Sequence, residues 1–132
     1  MRNLSIEMVY IVDDDDAVRD STRALFESYG LTVRDYPSAH HFLDDDRTRE
    51  RDGLSCCLLL DLHMPGMSGA ELLERLKELE ISLPTVVLTG RADRQLRDRV
   101  MRAGARALLE KPVNDDELAQ TIRQALMDRA AD

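Results

Sequence analysis

At 132 residues, 43% apolar and 33% charged, the chain has the size and composition of one globular domain with its own core. A formal net charge of −8 argues against nucleic-acid binding by the domain as a whole, because phosphate contacts need a basic footprint. No apolar run reaches membrane-span length, and the N-terminal M-R-N-L-S-I-E-M has no apolar signal core, so a cytoplasmic protein without membrane contact is expected.

Cys56 and Cys57 are adjacent with no other cysteine, which excludes a zinc ligand set and predicts buried reduced thiols. In chain order, Met8–Val12 ends abruptly in four Asp and reads as a fully buried strand. Asp16 is placed to cap the next helix, with a stripe of Val18, Thr22, Leu25 and Tyr29 and a stop at Gly30. Leu31–Tyr36 alternates as a second strand, and Ser38 caps a short helix carrying Ala39, Phe42 and Leu43. Asp44–Gly53 is almost wholly charged and reads as a solvated helix end and loop.

Ser55–Asp61 is apolar on both faces, as at the centre of a parallel sheet. Ser68-Gly69-Ala70-Glu71 fits a capping box, followed by a stripe of Leu72, Leu76 and Leu79 with Leu73 beside it. Thr85–Thr89 is a β-branched fourth strand. Asp93 opens a helix with a thin apolar face (Leu96, Val100, Ala103), ended by Gly104. Ala107–Glu110 is a short fifth strand, and Lys111-Pro112 forbids helix directly after it. Asn114 and Glu117 offer a second capping box before Leu118, Ile122, Ala125 and Leu126. Five strands alternating with five helices predict an α/β fold, a doubly wound parallel sheet with helices on both faces, forming one domain over residues 1–132.

In such a sheet the strands' carboxyl ends share one edge, and loops there form the site. That edge gathers Asp13 and Asp14 from the first strand, Asp61 from the third, Thr89 from the fourth and Lys111 from the fifth. Three carboxylates in one cleft repel one another unless a cation sits among them, and oxygen-only ligands favour a hard ion such as Mg²⁺. Lys111 supplies a point charge and Thr89 a hydroxyl donor for a phosphoryl oxygen, leaving Asp61 as nucleophile.

The motifs I-V-D-D-D-D, L-L-L-D-L-H-M-P-G-M-S-G, V-V-L-T-G and L-L-E-K-P, in this order, resemble the CheY-like receiver domain of two-component response regulators, over about Met8 to Arg129. The M-P-G-M-S-G form is most similar to FixJ-type receivers, which usually precede a helix-turn-helix domain; no effector domain is recognised in this chain. The resemblance implies a flavodoxin-like (βα)5 fold and a signalling regulator rather than an enzyme. It implies that Asp61 takes a phosphoryl group from a sensor histidine kinase, and that Asp14 and Asp61 ligate Mg²⁺. Asp13 would act through a metal-bound water, and the backbone carbonyl of His63 would complete the protein's share. Thr89 would move toward the phosphoryl group, Lys111 would contact it, and the Lys111–Pro112 bond would be cis. Phosphorylation would switch the 89–129 surface for dimerisation or effector control of transcription. Receivers commonly carry Tyr or Phe three residues before the lysine; here that position is Leu108, so the expected relay is repacking around Leu108 and the 93–103 helix.

Two readings stay open for His63 and for Arg91: a side chain that sets acyl-phosphate lifetime, or an exposed loop residue. His40 and His41 read as surface residues, and Asp15 as either an acid behind the site or a solvated loop residue. Residues 91–106 hold six Arg and two Asp, a local +4 on an acidic domain. Asp93 with Arg97 and Asp98 with Arg102 have helix-pair spacing, which leaves Arg91, Arg94, Arg99 and Arg106 for an acidic partner surface such as a second copy on the 91–129 face. Two alternatives compete. A haloacid-dehalogenase-like phosphatase would use Asp13-Asp14-Asp15, Thr89 and Lys111, but needs further acids after the lysine; a degenerate receiver would act as a constitutive scaffold.

Overall fold

Both faces of β1 (Ile6–Val12) and β3 (Leu54–Asp61) are apolar, so both must be covered. In the computed structural model, which describes residues 6–49 and 54–128, these strands lie side by side inside a five-stranded parallel sheet. With β2 (Thr32–Tyr36), β4 (Thr85–Thr89) and β5 (Ala107–Glu110), the order is β2-β1-β3-β4-β5. Met8, Tyr10, Val12, Cys56, Leu58 and Leu60 belong to the core layer that includes residues of α2 (Ala39–Asp44), α3 (Gly69–Glu78) and α4 (Arg94–Arg102). Val9, Ile11, Cys57 and Leu59 belong to the opposite layer, with α1 (Asp16–Ser28) and α5 (Asp115–Met127). The expected doubly wound (βα)5 architecture is what forms. The two cysteines are buried outside any disulfide, one in each layer.

The chain leaves β1 for β2 on one side, and β3 lies on the other. The reversal between β1 and β3 opens a crevice at their carboxyl ends, which places the site.

Local structure follows the predicted caps with corrections. Ser68 and Glu71 close a reciprocal capping box, and Ser38, Asp93 and Asn114 each accept a bond from their helix's third backbone N–H. Asp15, rather than Asp16, caps α1: its backbone is extended and its carboxylate accepts from Val18 N–H, while Asp16 lies in the first turn and pairs with Arg19. The buried side chain of α1 is Phe26, fully inaccessible, which the predicted stripe omitted; Val18 and Tyr29 are exposed. Burying that ring contributes about 1.5–3 kcal/mol. The stripe is rotated because Arg19 and Arg23 share the inner face, where both bind Asp35 of β2. Tyr29 lies under the Arg123 guanidinium of α5 at 4.9 Å. Leu79 caps α3 and is likewise exposed, because the chain turns away from the core there.

The charged stretch after α2 is not merely solvated. Asp45 accepts from the Tyr36 hydroxyl at 2.7 Å and from Arg47 through backbone and guanidinium, and a 3-10 helix over Asp46–Arg49 seats Thr48 in the interior. Arg47's bonds hold the Asp45 carboxyl well below its usual range against the effect of burial, with the Tyr36 bond adding to the lowering. Residues 50–53 of that stretch, residues 1–5, and Arg129 at the end of the expected output surface lie outside the described residues.

Four of the six arginine assignments reverse. Among the described residues neither Asp93–Arg97 nor Asp98–Arg102 forms; Asp93 spends its carboxylate on the Leu96 N–H of its own helix. Arg99 instead forks onto Glu74 of α3 at 2.9 and 2.8 Å, and Arg106 pairs with Asp128 after α5. Lys77 donates to the Arg102 carbonyl at 3.1 Å, a second link from α3 to α4. Helix spacing names possible partners, but the rotation of α4 against α3 selects the real ones.

Candidate functional site

The apolar run of β1 delivers Asp13 to the crevice almost fully buried, while Asp14 is exposed. Asp13's N–H donates to the Tyr36 carbonyl at 3.1 Å, and its Oδ1 accepts from Asp15 N–H at 2.9 Å. The Arg19 guanidinium donates to the Asp13 carbonyl at 2.8 Å while holding Asp16 and Asp35, so it ties the acidic loop to α1 and β2. The sequence reading missed Arg19; its spacing of four from the Asp15 cap was the available signal.

β3 brings Asp61 to the same edge, 5% exposed. Leu62 N–H continues the ladder to Leu88 O at 2.9 Å, and Gly69 N–H donates to Leu62 O at 3.2 Å, which seats the start of α3 directly on the β3 end. A Cβ at Gly69 would lie 2.6 Å from the Asp61 carbonyl oxygen. The glycine was read only as part of the capping box; its role in letting α3 approach the Asp61 backbone is visible only in three dimensions.

Asp13, Asp14 and Asp61 each offer a carboxylate oxygen, all within 4.8 Å of one another. Two unit charges at that distance repel by about 3.5 kcal/mol at an effective dielectric of 20. Burial pushes the Asp13 carboxyl above its usual range; the Asp15 N–H opposes this, Asp61 adds to it, Lys111 opposes and Asp14 adds. Lys111 Nζ stands 3.6 Å from Asp61 Oδ1 and is the expected ammonium, and the Lys111–Pro112 bond that comes after it is cis. Three carboxylates against one ammonium leave two negative charges. An oxygen-only donor set with that excess fits a hard divalent cation of the Mg²⁺ kind.

Thr89, at the end of β4, is fully buried, and its hydroxyl has three polar contacts. Its hydroxyl donates to the Arg91 carbonyl at 2.9 Å, accepts from Arg91 N–H at 3.1 Å, and lies 2.8 Å from His63 Nε2. His63 N–H in turn donates to Asp61 Oδ1 at 3.2 Å. The His63 imidazole, read either as setting acyl-phosphate lifetime or as an exposed loop residue, is exposed and is joined to the threonine. Arg91 engages Thr89 through its backbone, with its side chain exposed.

Leu108 on β5 packs partly buried against the layer containing Leu96, Val100 and Ala103. His40 and His41 are exposed, as expected, and His41 Nδ1 lies 2.6 Å from Ser38 Oγ. Five predicted residues (Asp13, Asp14, Asp61, Thr89 and Lys111) therefore meet at one edge. Of the predicted output residues, Arg99 and Arg106 are engaged within the domain and Arg94 is exposed.

Residues 9–123 match the family model of the response regulator receiver domain. The chain is 40% identical over 118 residues to the transcriptional regulatory protein FixJ of Azorhizobium caulinodans, an alignment covering 89% of this chain and 54% of that protein. It is 39% identical over 119 residues to the response regulator protein TodT of Pseudomonas putida, covering 90% and 51%. The crystal structure of FixJ-N superposes with a TM-score of 0.79 at 34% identity, covering 94% of this chain and 96% of that one. The chain spans about half the length of the curated relatives it matches.

Proposed function

The chain belongs to the response regulator receiver domain family, a family of phosphorylation-activated signalling regulators, and on that premise we propose that Asp61 is its phosphoacceptor. One observation carries the assignment: Asp61 is the buried carboxylate that has Lys111 Nζ at 3.6 Å and two further acids within 4.8 Å at the sheet's switch point. An oxygen of Asp61 forms the new P–O bond as the phosphohistidine P–N bond of a sensor kinase breaks, and the electron pair of that bond stays on the leaving nitrogen. Lys111 neutralises a phosphoryl oxygen, and Thr89, once turned, donates to another. Asp13, Asp14 and Asp61 with the His63 carbonyl would hold Mg²⁺, which when bound offsets the negative charge between the acids and the incoming group.

The phosphatase alternative has little support: it needs acids on a strand after the lysine, and among the described residues only α5 follows β5. Transcription control is the output we propose for the longer protein, by analogy with FixJ, named a transcriptional regulatory protein. For self-association, the guanidiniums of the 91–106 region without a partner among the described residues are Arg91, Arg94, Arg97 and Arg102. The exposed first turn of α5 offers Asp115, Asp116 and Glu117 as a complementary surface on a second copy.

The test is phosphorylation by acetyl phosphate with Mg²⁺, read by intact mass. Asp61→Asn should take no phosphoryl group, while Asp13→Asn should still take one, more slowly. Labelling retained in Asp61→Asn, or lost only in Asp13→Asn, would refute the assignment.

A further inference from the structure

Thr89 is already saturated. A hydroxyl has one proton and two lone pairs. Donation to the Arg91 carbonyl at 2.9 Å uses the proton, and the Arg91 N–H at 3.1 Å fills one lone pair. With the hydroxyl proton on the Arg91 carbonyl, the remaining contact, His63 Nε2 at 2.8 Å, acts as the donor, so Nε2 carries a hydrogen in this arrangement. A buried hydroxyl in this state has nothing left to offer a phosphoryl oxygen.

We propose that His63 is a resting-state latch: its imidazole holds the Thr89 hydroxyl on the Arg91 carbonyl, and phosphorylation of Asp61 must break that bond before Thr89 can turn into the site. His63 is suited to this because it touches both ends of the event. Its backbone N–H donates to Asp61 Oδ1 at 3.2 Å, and its ring reaches Thr89 across 26 residues of sequence. A change at the Asp61 carboxylate is therefore felt by the same residue that restrains the threonine. The ring is otherwise exposed and packs into neither core layer, so its role is the bond rather than the volume it fills. His63 is a positioning residue, acting through Thr89.

The consequence has a definite sign. A bond present only in the resting state lowers the population of the form that accepts a phosphoryl group, and apparent affinity for a phosphoryl mimic falls with that population. Removing one net hydrogen bond should raise the affinity about fivefold. Because the inference rests on Asp61 being the phosphoacceptor, the experiment separates the two. Beryllofluoride with Mg²⁺ is titrated into wild type, Asp61→Asn, His63→Ala and His63→Phe, each checked for a cooperative melt. Wild type should bind and Asp61→Asn should not; failure of either overturns the phosphoacceptor assignment and the latch with it. Given that result, both His63 variants should bind about fivefold tighter than wild type, the Phe variant because it keeps a ring but no nitrogen. Unchanged or weaker binding in either variant overturns the latch alone. Nitrogen-resolved NMR of the imidazole supplies a signature that a filler role would not give. The free protein should show the Nε2–H tautomer bonded to Thr89, and beryllofluoride should abolish that bond. An Nδ1–H tautomer in the free protein, or a bond that survives the mimic, refutes it.

Discussion

Replacing Gly69 with alanine sets two local rules against each other. Gly69 is the first residue of α3, without a positive φ, so helix propensity by itself favours Ala by up to about 1 kcal/mol. The added methyl, however, would sit 2.6 Å from the Asp61 carbonyl oxygen, 2.8 Å from Leu62 Cα and 2.9 Å from Leu62 Cδ2. Against an ordinary carbon contact of about 3.5 Å, the two carbon approaches fall short by about 0.6–0.7 Å. Two of the three atoms are backbone, anchored by the Leu62–Leu88 and Gly69–Leu62 bonds, and cannot step aside as a side chain would. Overpacking of this kind costs about 1–3 kcal/mol, so we expect a net loss of about 1–2 kcal/mol. The melting temperature should fall by about 4–8 °C. Relief of the clash must move the Asp61 backbone, and displacing a reacting carboxylate should slow acetyl phosphate labelling by about tenfold. Thermal melts and a labelling time course test both. A variant as stable as wild type that also labels at the wild-type rate would refute the reasoning, because propensity would then have outweighed contact.

Two further predictions concern the polar links around the sheet. Glu74→Gln removes the charge that Arg99 forks onto; global stability should change by under about 1 kcal/mol, but amide exchange over α4 should quicken, and unchanged exchange would show that apolar packing and the Lys77–Arg102 link hold the helix without the ion pair. Asp45→Asn should lose about 1–2 kcal/mol at neutral pH. Because the folded carboxyl is held below its ordinary 3.8, its stabilisation is complete above that pH and drains as pH falls through the folded value. The gap between wild type and variant in urea melts should therefore narrow below about pH 4; a gap that widens in acid would contradict the sign.

Much of the molecule is legible one residue at a time. A short unbroken apolar run defines β1 and β3, an abrupt stop puts Asp13 and Asp61 at their ends, and Ser68-x-x-Glu71 announces its own cap; these are properties of neighbours along the chain. The family motifs add that Thr89 and Lys111 join them. What stayed hidden is which individual side chains touch across elements distant in sequence. Arg99 finds Glu74 rather than a helix neighbour, Phe26 rather than Val18 faces the sheet, Gly69 yields its side chain to the Asp61 carbonyl, and His63 reaches Thr89. Spacing fixes which side chains share a helix face, but not how far that helix is rotated or how closely it sits on the sheet. The sequence by itself therefore determined the fold and the chemical inventory of the site. Only packing decided the contacts, because hydrogen bonds and steric clashes turn on tenths of an ångström between elements whose separation no local pattern encodes.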